Sequence, residues 1–271
     1  MGELKSAGRQ AENSEWLDYV VRFGLVAYGV VHLLIAWVAL QLAFGETGRS
    51  ASSTGALQEL ASQPFGGAAL WAVAVGLALL VVWRLIEAAF GHGQEDGKEK
   101  LGKQVMSLLK AVLYGALAVS ALKVALGSGG GGGGGGSDTM TAKVMSWPGG
   151  QVLVGLAGVA IIGYGGFTAW RGWSERFLEH LDFDGRSGRD GAAYRMFGKF
   201  GYIAKGVAVA LVGGLFVYAA ITHDADKGGG LDQALHTVLR QDYGPYLLGL
   251  IAVGIGCYGL FCFARARHLK R

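Results

Sequence analysis

Charged residues are scarce in this chain: Asp, Glu, Lys and Arg make up 16% of its 271 residues, against 52% hydrophobic, and the mean hydropathy is +0.37. A soluble domain carries about a quarter of its residues as charges, so a water-facing globular fold is excluded. Proline occurs only at Pro64, Pro148 and Pro245, which leaves long stretches without a helix breaker. The two cysteines, Cys257 and Cys262, fall five apart on one predicted helix with their side chains pointing away from each other, which excludes a disulfide between them. The sequence contains no histidine pair with metal-ligand spacing, no Ser-His-acid set at membrane depth and no nucleotide fingerprint between strand and helix. Those absences make an enzyme the least favoured class and predict neither a metal nor a cofactor.

What the chain does contain, it contains three times. A long apolar segment is followed by a short polar loop ending at a proline, then by a second apolar segment closing on an arginine. The copies run over residues 23–84, about 104–171 and about 199–265. Each opens with an aromatic or basic residue followed by glycine: Tyr28-Gly29, Tyr114-Gly115 and Lys205-Gly206. Each closes on a matched nine-residue string, GLALLVVWR from Gly76, GYGGFTAWR from Gly163 and CYGLFCFAR from Cys257, so that Arg84, Arg171 and Arg265 are equivalent.

Three hairpins give six spans. The stretch from Phe23 to Phe44 holds no Asp, Glu, Lys or Arg, and its length suits a hydrocarbon core of about 30 Å. The others are expected near 64–83, 105–126, 152–170, 201–221 and 245–264, with Lys110 and Lys123 snorkelling from the third. The fold class is therefore an all-α membrane protein of six transmembrane helices, arranged as tandem two-helix repeats about a pseudo-threefold axis along the membrane normal. The division is a segment 1–22, repeat 1 at 23–91, repeat 2 at 92–173, a connector 174–198, repeat 3 at 199–267 and a tail 268–271. Because the first apolar run follows a polar stretch and is too long for a signal core, it is expected to remain as the first span.

Orientation follows from lysine and arginine. Nineteen fall in the two terminal segments and the 84–110 and 171–205 stretches, against five in the other three loops, which predicts a multi-pass cell-membrane protein with both termini cytoplasmic. The basic residues are interspersed with acids rather than clustered with aromatic platforms, so no nucleic-acid partner is implied. Trp83 and Trp170 at one boundary and Trp71 and Trp147 at the other read as interfacial anchors. Before each proline lies a short potential helix, at 54–63, 139–147 and 232–243, with a Thr or Asp placed to cap it. Each has an apolar edge, such as Leu57 with Leu60 and Leu235 with Leu239, and is expected to lie on the membrane surface across the hairpin mouth. The glycine run 129–136 reads as a flexible linker.

Small residues four apart let helix backbones approach in lipid; Ala68, Ala72 and Gly76 form one such stripe, and Gly206, Ala210 and Gly214 another. Two residues are candidates for an intramembrane polar site. His32 is the one histidine well inside a span, with no second buried histidine to complete a haem site, and reads as a hydrogen-bonded packing residue or a protonation relay. Lys205 stands where the other copies have tyrosine, and snorkelling is its simpler account. Glu87 reads as an end-of-helix surface partner for Arg84. Arg84, Arg171 and Arg265, placed around a pseudo-threefold axis, either bind anionic lipid headgroups or an anionic solute, or do no more than stop helices under the positive-inside rule. Asp182, Asp184 and Asp190 look superficially like a calcium loop, but the remaining ligand positions hold arginine, serine and glycine, so a turn is expected there.

The strings GLVAYGVVHLLIAWVAL and Gln-Pro-Phe-Gly at 63–66, with the Trp-Arg close of the second helix, resemble the actinobacterial membrane family catalogued as domain of unknown function 1206, in three tandem copies. Its basic-residue and glycine hallmark is kept at Arg22-Phe23-Gly24 and Lys199-Phe200-Gly201, while the middle copy departs with Leu108 and Lys110. The resemblance implies an integral membrane protein and adds no chemistry. The function expected is an accessory or scaffolding role, binding membrane lipids, other membrane proteins or a second copy of itself; the alternative is a small channel or transporter.

Overall fold

The computed structural model describes residues 15–45, 50–90, 97–127, 141–182, 188–224 and 227–269; the glycine run and Asp184 lie outside them. In chain order the helices are α1 (Glu15–Ala43), α2 (Ser53–Ser62), α3 (Gly66–Phe90), α4 (Gly97–Ala125), α5 (Gly150–Trp173), α6 (Gly188–Thr222), α7 (Leu231–Leu239) and α8 (Gly244–Arg267). Residues 141–145 form a further short helical stretch, and Arg176–His180 a 3-10 turn. The long helices α1, α3, α4, α5, α6 and α8 are each apolar and long enough to cross a membrane. Among the described residues the only β feature is an isolated bridge between Leu181 and Leu269.

Several helices run beyond the expected spans at the end of the bundle where α1 begins and α8 finishes, here called the proximal face. α6 starts at Gly188 rather than near 201, because its extra turns pack on the chain that follows α5. Phe177, fully buried, sits against Gly198 and stacks on Tyr202 at 5.3 Å. Asp182 accepts from His268 Nδ1 at 3.2 Å when that nitrogen carries its proton, and Arg22 donates to the Arg267 carbonyl at 3.3 Å.

The three copies are visible in the backbone. At the opposite, distal face the residue opening each second helix donates to a carbonyl three residues back: Gly66 to Gln63 (2.8 Å), Gly150 to Trp147 (2.9 Å) and Gly244 to Gln241 (2.8 Å). The long helices follow one another in a ring, α1, α3, α4, α5, α6, α8 and back to α1. Helices of neighbouring repeats pack most extensively, α5 on α6, α8 on α1 and α3 on α4. Within repeats, α1 packs on α3 and α6 on α8, while α4 and α5 of the middle repeat make almost no contact.

Glycine sets the inter-repeat spacing. A Cβ on Gly29 would lie 3.0 Å from the Gly259 carbonyl oxygen, and one on Gly259 would lie 2.9 Å from that of Gly29. Gly206 and Gly165, the same positions one repeat away, show the same reciprocal approach at 2.6 Å. Without a hydrophobic drive between helices in lipid, backbone proximity and the dispersion contacts it permits hold the interfaces together.

The expected small-residue stripes are only partly used. Gly76 packs on Ala27, but Ala68 and Ala72 are exposed, and the buried face of α3 carries Leu70, Val73, Leu77 and Leu80 instead. On α6, Gly206 and Ala210 face α5, whereas Gly214 meets nothing within 4 Å and Gly213 takes the third place against Gly158. A 3.6-residue period makes i+7, not i+8, the return to one face. The partner stripe, Gly158, Gly165 and Gly172, repeats every seven residues on α5 and was not anticipated.

The outer helices also differ from expectation. Ser52, not Thr54, caps α2, its hydroxyl accepting from Gly55 N at 3.0 Å. α7 has no side-chain cap; Asp232 reaches back to accept from Ala51 N at 2.6 Å, tying the first distal loop to the third. Rather than lying on the surface, both helices insert their apolar edges, and Leu57 and Leu235 are fully buried. Together with Val31, Ile35, Leu70 and Leu77 they fill the distal half of the bundle.

Replacing Gly165 by leucine is expected to destabilise the protein by about 1–3 kcal/mol through overpacking, whereas Gly214→Leu stays within about 0.5 kcal/mol. Thermal unfolding of detergent-solubilised variants checks the contrast, and equal losses would refute the assigned stripe.

Candidate functional site

The pairing of each aromatic or basic residue with a glycine has a geometric consequence. With Gly29 and Gly206 turned toward a neighbouring repeat, the preceding residues Tyr28 and Lys205 face the bundle axis, and Tyr114 does the same from α4. One turn or two toward the proximal face, Arg84, Arg171 and Arg265 turn to the same axis. They enclose a cavity of about 50 Å³ to which all six long helices contribute. That volume holds about three waters, or one tetrahedral oxyanion. It extends from the Tyr258 level to the Arg265 level, seven residues or about 10 Å along α8.

Five cations face this cavity, each from a different helix: Arg84 on α3, Lys110 on α4, Arg171 on α5, Lys205 on α6 and Arg265 on α8. The sixth long helix, α1, contributes Tyr28, and Tyr114, Tyr164, Tyr202 and Tyr258 complete a tyrosine lining. Among the described residues no carboxylate lines it. Glu87 stands beside it, paired with Arg84 and accepting from Ser107 Oγ at 2.9 Å. The Arg84 side chain is 7% exposed and that of Glu87 23%, so the pair is largely buried behind the cavity lining and is not the expected surface pair.

Lys205 does not snorkel. Its ammonium donates to the Tyr28 hydroxyl at 2.8 Å and lies 3.9 Å from the centre of the Tyr258 ring. The partner is 177 positions away in sequence, and two aromatic faces plus a hydroxyl replace part of the water an ammonium would need. Arg171 lies 5.7 Å from the centre of the Tyr202 ring. The Nε atoms of Arg84 and Arg265 are buried without a hydrogen-bond partner, an unsatisfied donor set at a site already rich in positive charge.

His32 stands one layer behind the cavity. Its Nδ1 is 2.9 Å from the Tyr28 carbonyl, which can only accept, so Nδ1 carries the hydrogen. Its ring packs edge-on against Tyr28 at 4.3 Å and on Tyr258 at 4.9 Å. The reading as a hydrogen-bonded packing residue fits this geometry, with His32 supporting two residues of the wall.

Sequence reasoning brought forward Arg84, Arg171, Arg265 and Lys205, which share the cavity, and passed over Lys110 and the tyrosines. A signal for two of these lay in the matched strings, whose second residue is Tyr164 in one copy and Tyr258 in another. Lys110 had been noted as a departure from the repeat and expected to snorkel, and instead it lines the cavity.

This architecture defines a multi-pass membrane protein of three two-helix repeats closed around a basic axial cavity. The sequence profile described as Domain of Unknown Function (DUF1206) matches residues 23–91, 105–175 and 200–268, and the chain belongs to that family. It is 29% identical over 257 residues to the "Uncharacterized protein YxxB" of Bacillus subtilis (strain 168), spanning 94% of this chain and 92% of that protein. That relative comes from Bacillus, so the resemblance is not confined to actinobacteria. No solved structure matches the chain.

Like charges crowded around one small cavity repel one another. Lys110→Met, which keeps the side chain's length and removes its charge, is expected to raise the unfolding temperature of the ligand-free protein. A fall on thermal unfolding in detergent would assign Lys110 a structural role instead.

Proposed function

We propose that the protein is an accessory protein of the cell membrane that holds the phosphate group of an anionic ligand in its axial cavity. The observation that carries this reading is the convergence of five cations from five helices on a cavity that, among the described residues, no carboxylate lines and only Glu87, paired with Arg84, is seen to flank. The positive-inside rule accounts for basic residues at helix ends; it does not require their side chains to turn inward to one point, where their mutual repulsion is greatest. An oxyanion offsets that repulsion, and guanidinium forks present donors in the geometry a phosphate accepts. The bias of nineteen basic residues to five supports an orientation in which the proximal face and both termini are cytoplasmic.

Anionic phospholipids and soluble phosphates offer the same group. A channel or transporter is less well supported, since the distal half of the axis is filled by Val31, Ile35, Leu57, Leu70 and Leu77.

The test is native mass spectrometry of Arg171→Gln/Arg265→Gln against the unmodified protein, each extracted gently from its own membrane. Losing charge-assisted hydrogen bonds worth about 1.5–3 kcal/mol predicts at least about a tenfold loss of co-purifying phosphate-bearing ligand. Equal retention would return these arginines to topology alone.

A further inference from the structure

The middle repeat is open where the other two are shut. In repeats 1 and 3 the helices of a hairpin meet through a small residue: a Cβ on Gly24 would lie 2.7 Å from the Gly76 carbonyl oxygen, and one on Gly201 would lie 2.5 Å from Tyr258 N. Aligning the repeats on Tyr28, Tyr114 and Lys205 puts Lys110 at the place of Gly24 and Gly201. The same alignment puts Leu113 where the other copies have Ala27 and Ala204, the residues whose methyls touch Gly76 and Gly254 across the closed hairpins. Two bulky side chains three apart therefore stand on the one face of α4 that would have to meet α5.

Across the gap, Gly163, the equivalent of Gly76, has nothing within 4 Å of where its Cβ would be. Phe167 is 45% exposed, although its equivalents Leu80 and Phe261 are each 1% exposed. Leu113 is 50% exposed, and both Leu113 and Phe167 also line the cavity. The seam thus joins the basic cavity to the lipid-facing surface with apolar lips and Lys110 on its inner side.

We infer that the cavity is loaded sideways from the bilayer, through the seam between α4 and α5, by an anionic phospholipid. Its phosphate lies among the five cations and its acyl chains leave between Leu113 and Phe167. This rests on the proposed phosphate site and names its ligand's source. A soluble anion needs no apolar exit; a phospholipid needs an anionic pocket and a hydrocarbon-lined way out, and the seam supplies both in one place.

The experiment compares two probes, dioleoylphosphatidylglycerol measured by native mass spectrometry and glycerol 3-phosphate measured by calorimetry, on delipidated protein in detergent. Gly163→Trp fills the seam without altering a cation, and Gly163→Leu does so more mildly, each checked for folding by its unfolding temperature. The expected result is a loss of at least tenfold in phosphatidylglycerol binding by the seam variants, with glycerol 3-phosphate bound within twofold of the unmodified protein. Arg171→Gln/Arg265→Gln is expected to lose both probes. Seam variants that hold phosphatidylglycerol normally overturn lateral entry; the phosphate site then survives only if the arginine variant has lost it. Unmodified protein that binds glycerol 3-phosphate but not phosphatidylglycerol also overturns the inference and makes the ligand a soluble anion. Failure to bind either probe overturns both readings.

Discussion

The distance between neighbouring repeats is set by a glycine meeting a glycine, Gly29 with Gly259 and Gly206 with Gly165. In lipid, helices gain little by hiding apolar side chains from one another, so the energy of the interface comes from how closely backbones approach. A helix that turns its glycine to one neighbour has no choice about the residue before it, which rotates by 100° toward the axis. Tyr28, Tyr114 and Lys205 are in the cavity because Gly29, Gly115 and Gly206 are in the interfaces. The third interface is looser, with Ala78 at the place of Gly165 and Gly259, and Gly115 approaches only Val81, at 3.9 Å.

Symmetry would put three identical residues on the axis, and the chain departs from it at charged positions. Lysine replaces tyrosine in copy three, and lysine replaces glycine in copy two. Both changes add positive charge to a place where three arginines already converge. Glu87 pairs with Arg84, and elsewhere the wall contributes groups that tolerate a cation without neutralising it: the Tyr28 hydroxyl, the faces of Tyr28 and Tyr258 beside Lys205, and the face of Tyr202 beside Arg171. Cation–π contacts of this kind contribute about 0.5–2 kcal/mol each, less than a full counter-ion. Glu87 offsets one of the five charges, so the cavity keeps a positive field, which a ring of buried carboxylates would have cancelled.

The repeat, the six spans and the axial arginines were legible because each depends on local composition or on matching strings. Lys205 was legible as an oddity and not as an inward-facing residue, since its fate is decided by a hydroxyl 177 residues away. The small-residue stripes failed in part for a simpler reason. Counting in fours drifts off a 3.6-residue helix, so Gly214 was chosen where Gly213 packs, and Ala68 and Ala72 were matched to a face that the larger residues of α3 bury. The inserted outer helices could not be read from their apolar edges, because an amphipathic helix suits a membrane surface and a bundle mouth equally well. Leu57 and Leu235 are buried because the bundle leaves room between the ends of its long helices.

The same middle repeat is relaxed along its length. At the distal face, α2 and α7 drive Leu57 and Leu235 into the core and are tied through Ala51 and Asp232, whereas Val144 on the 141–145 stretch is only half-buried and Trp147 is 56% exposed. In the membrane interior, α4 and α5 make almost no contact, and Lys110 and Leu113 stand at the places where the other repeats have glycine and alanine. Two complete hairpins, α1–α3 and α6–α8, join through the α1–α8 interface into one continuous wall, and α4 and α5 flank it by packing on α3 and α6. An opening confined to one hairpin leaves both strong glycine interfaces intact, since Gly29 with Gly259 and Gly165 with Gly206 lie on other sides of the ring. Access to the cavity and stability of the bundle thus rest on different contacts, and the departures at Lys110 and Leu113 fall where they open the first without touching the glycine interfaces that supply the second.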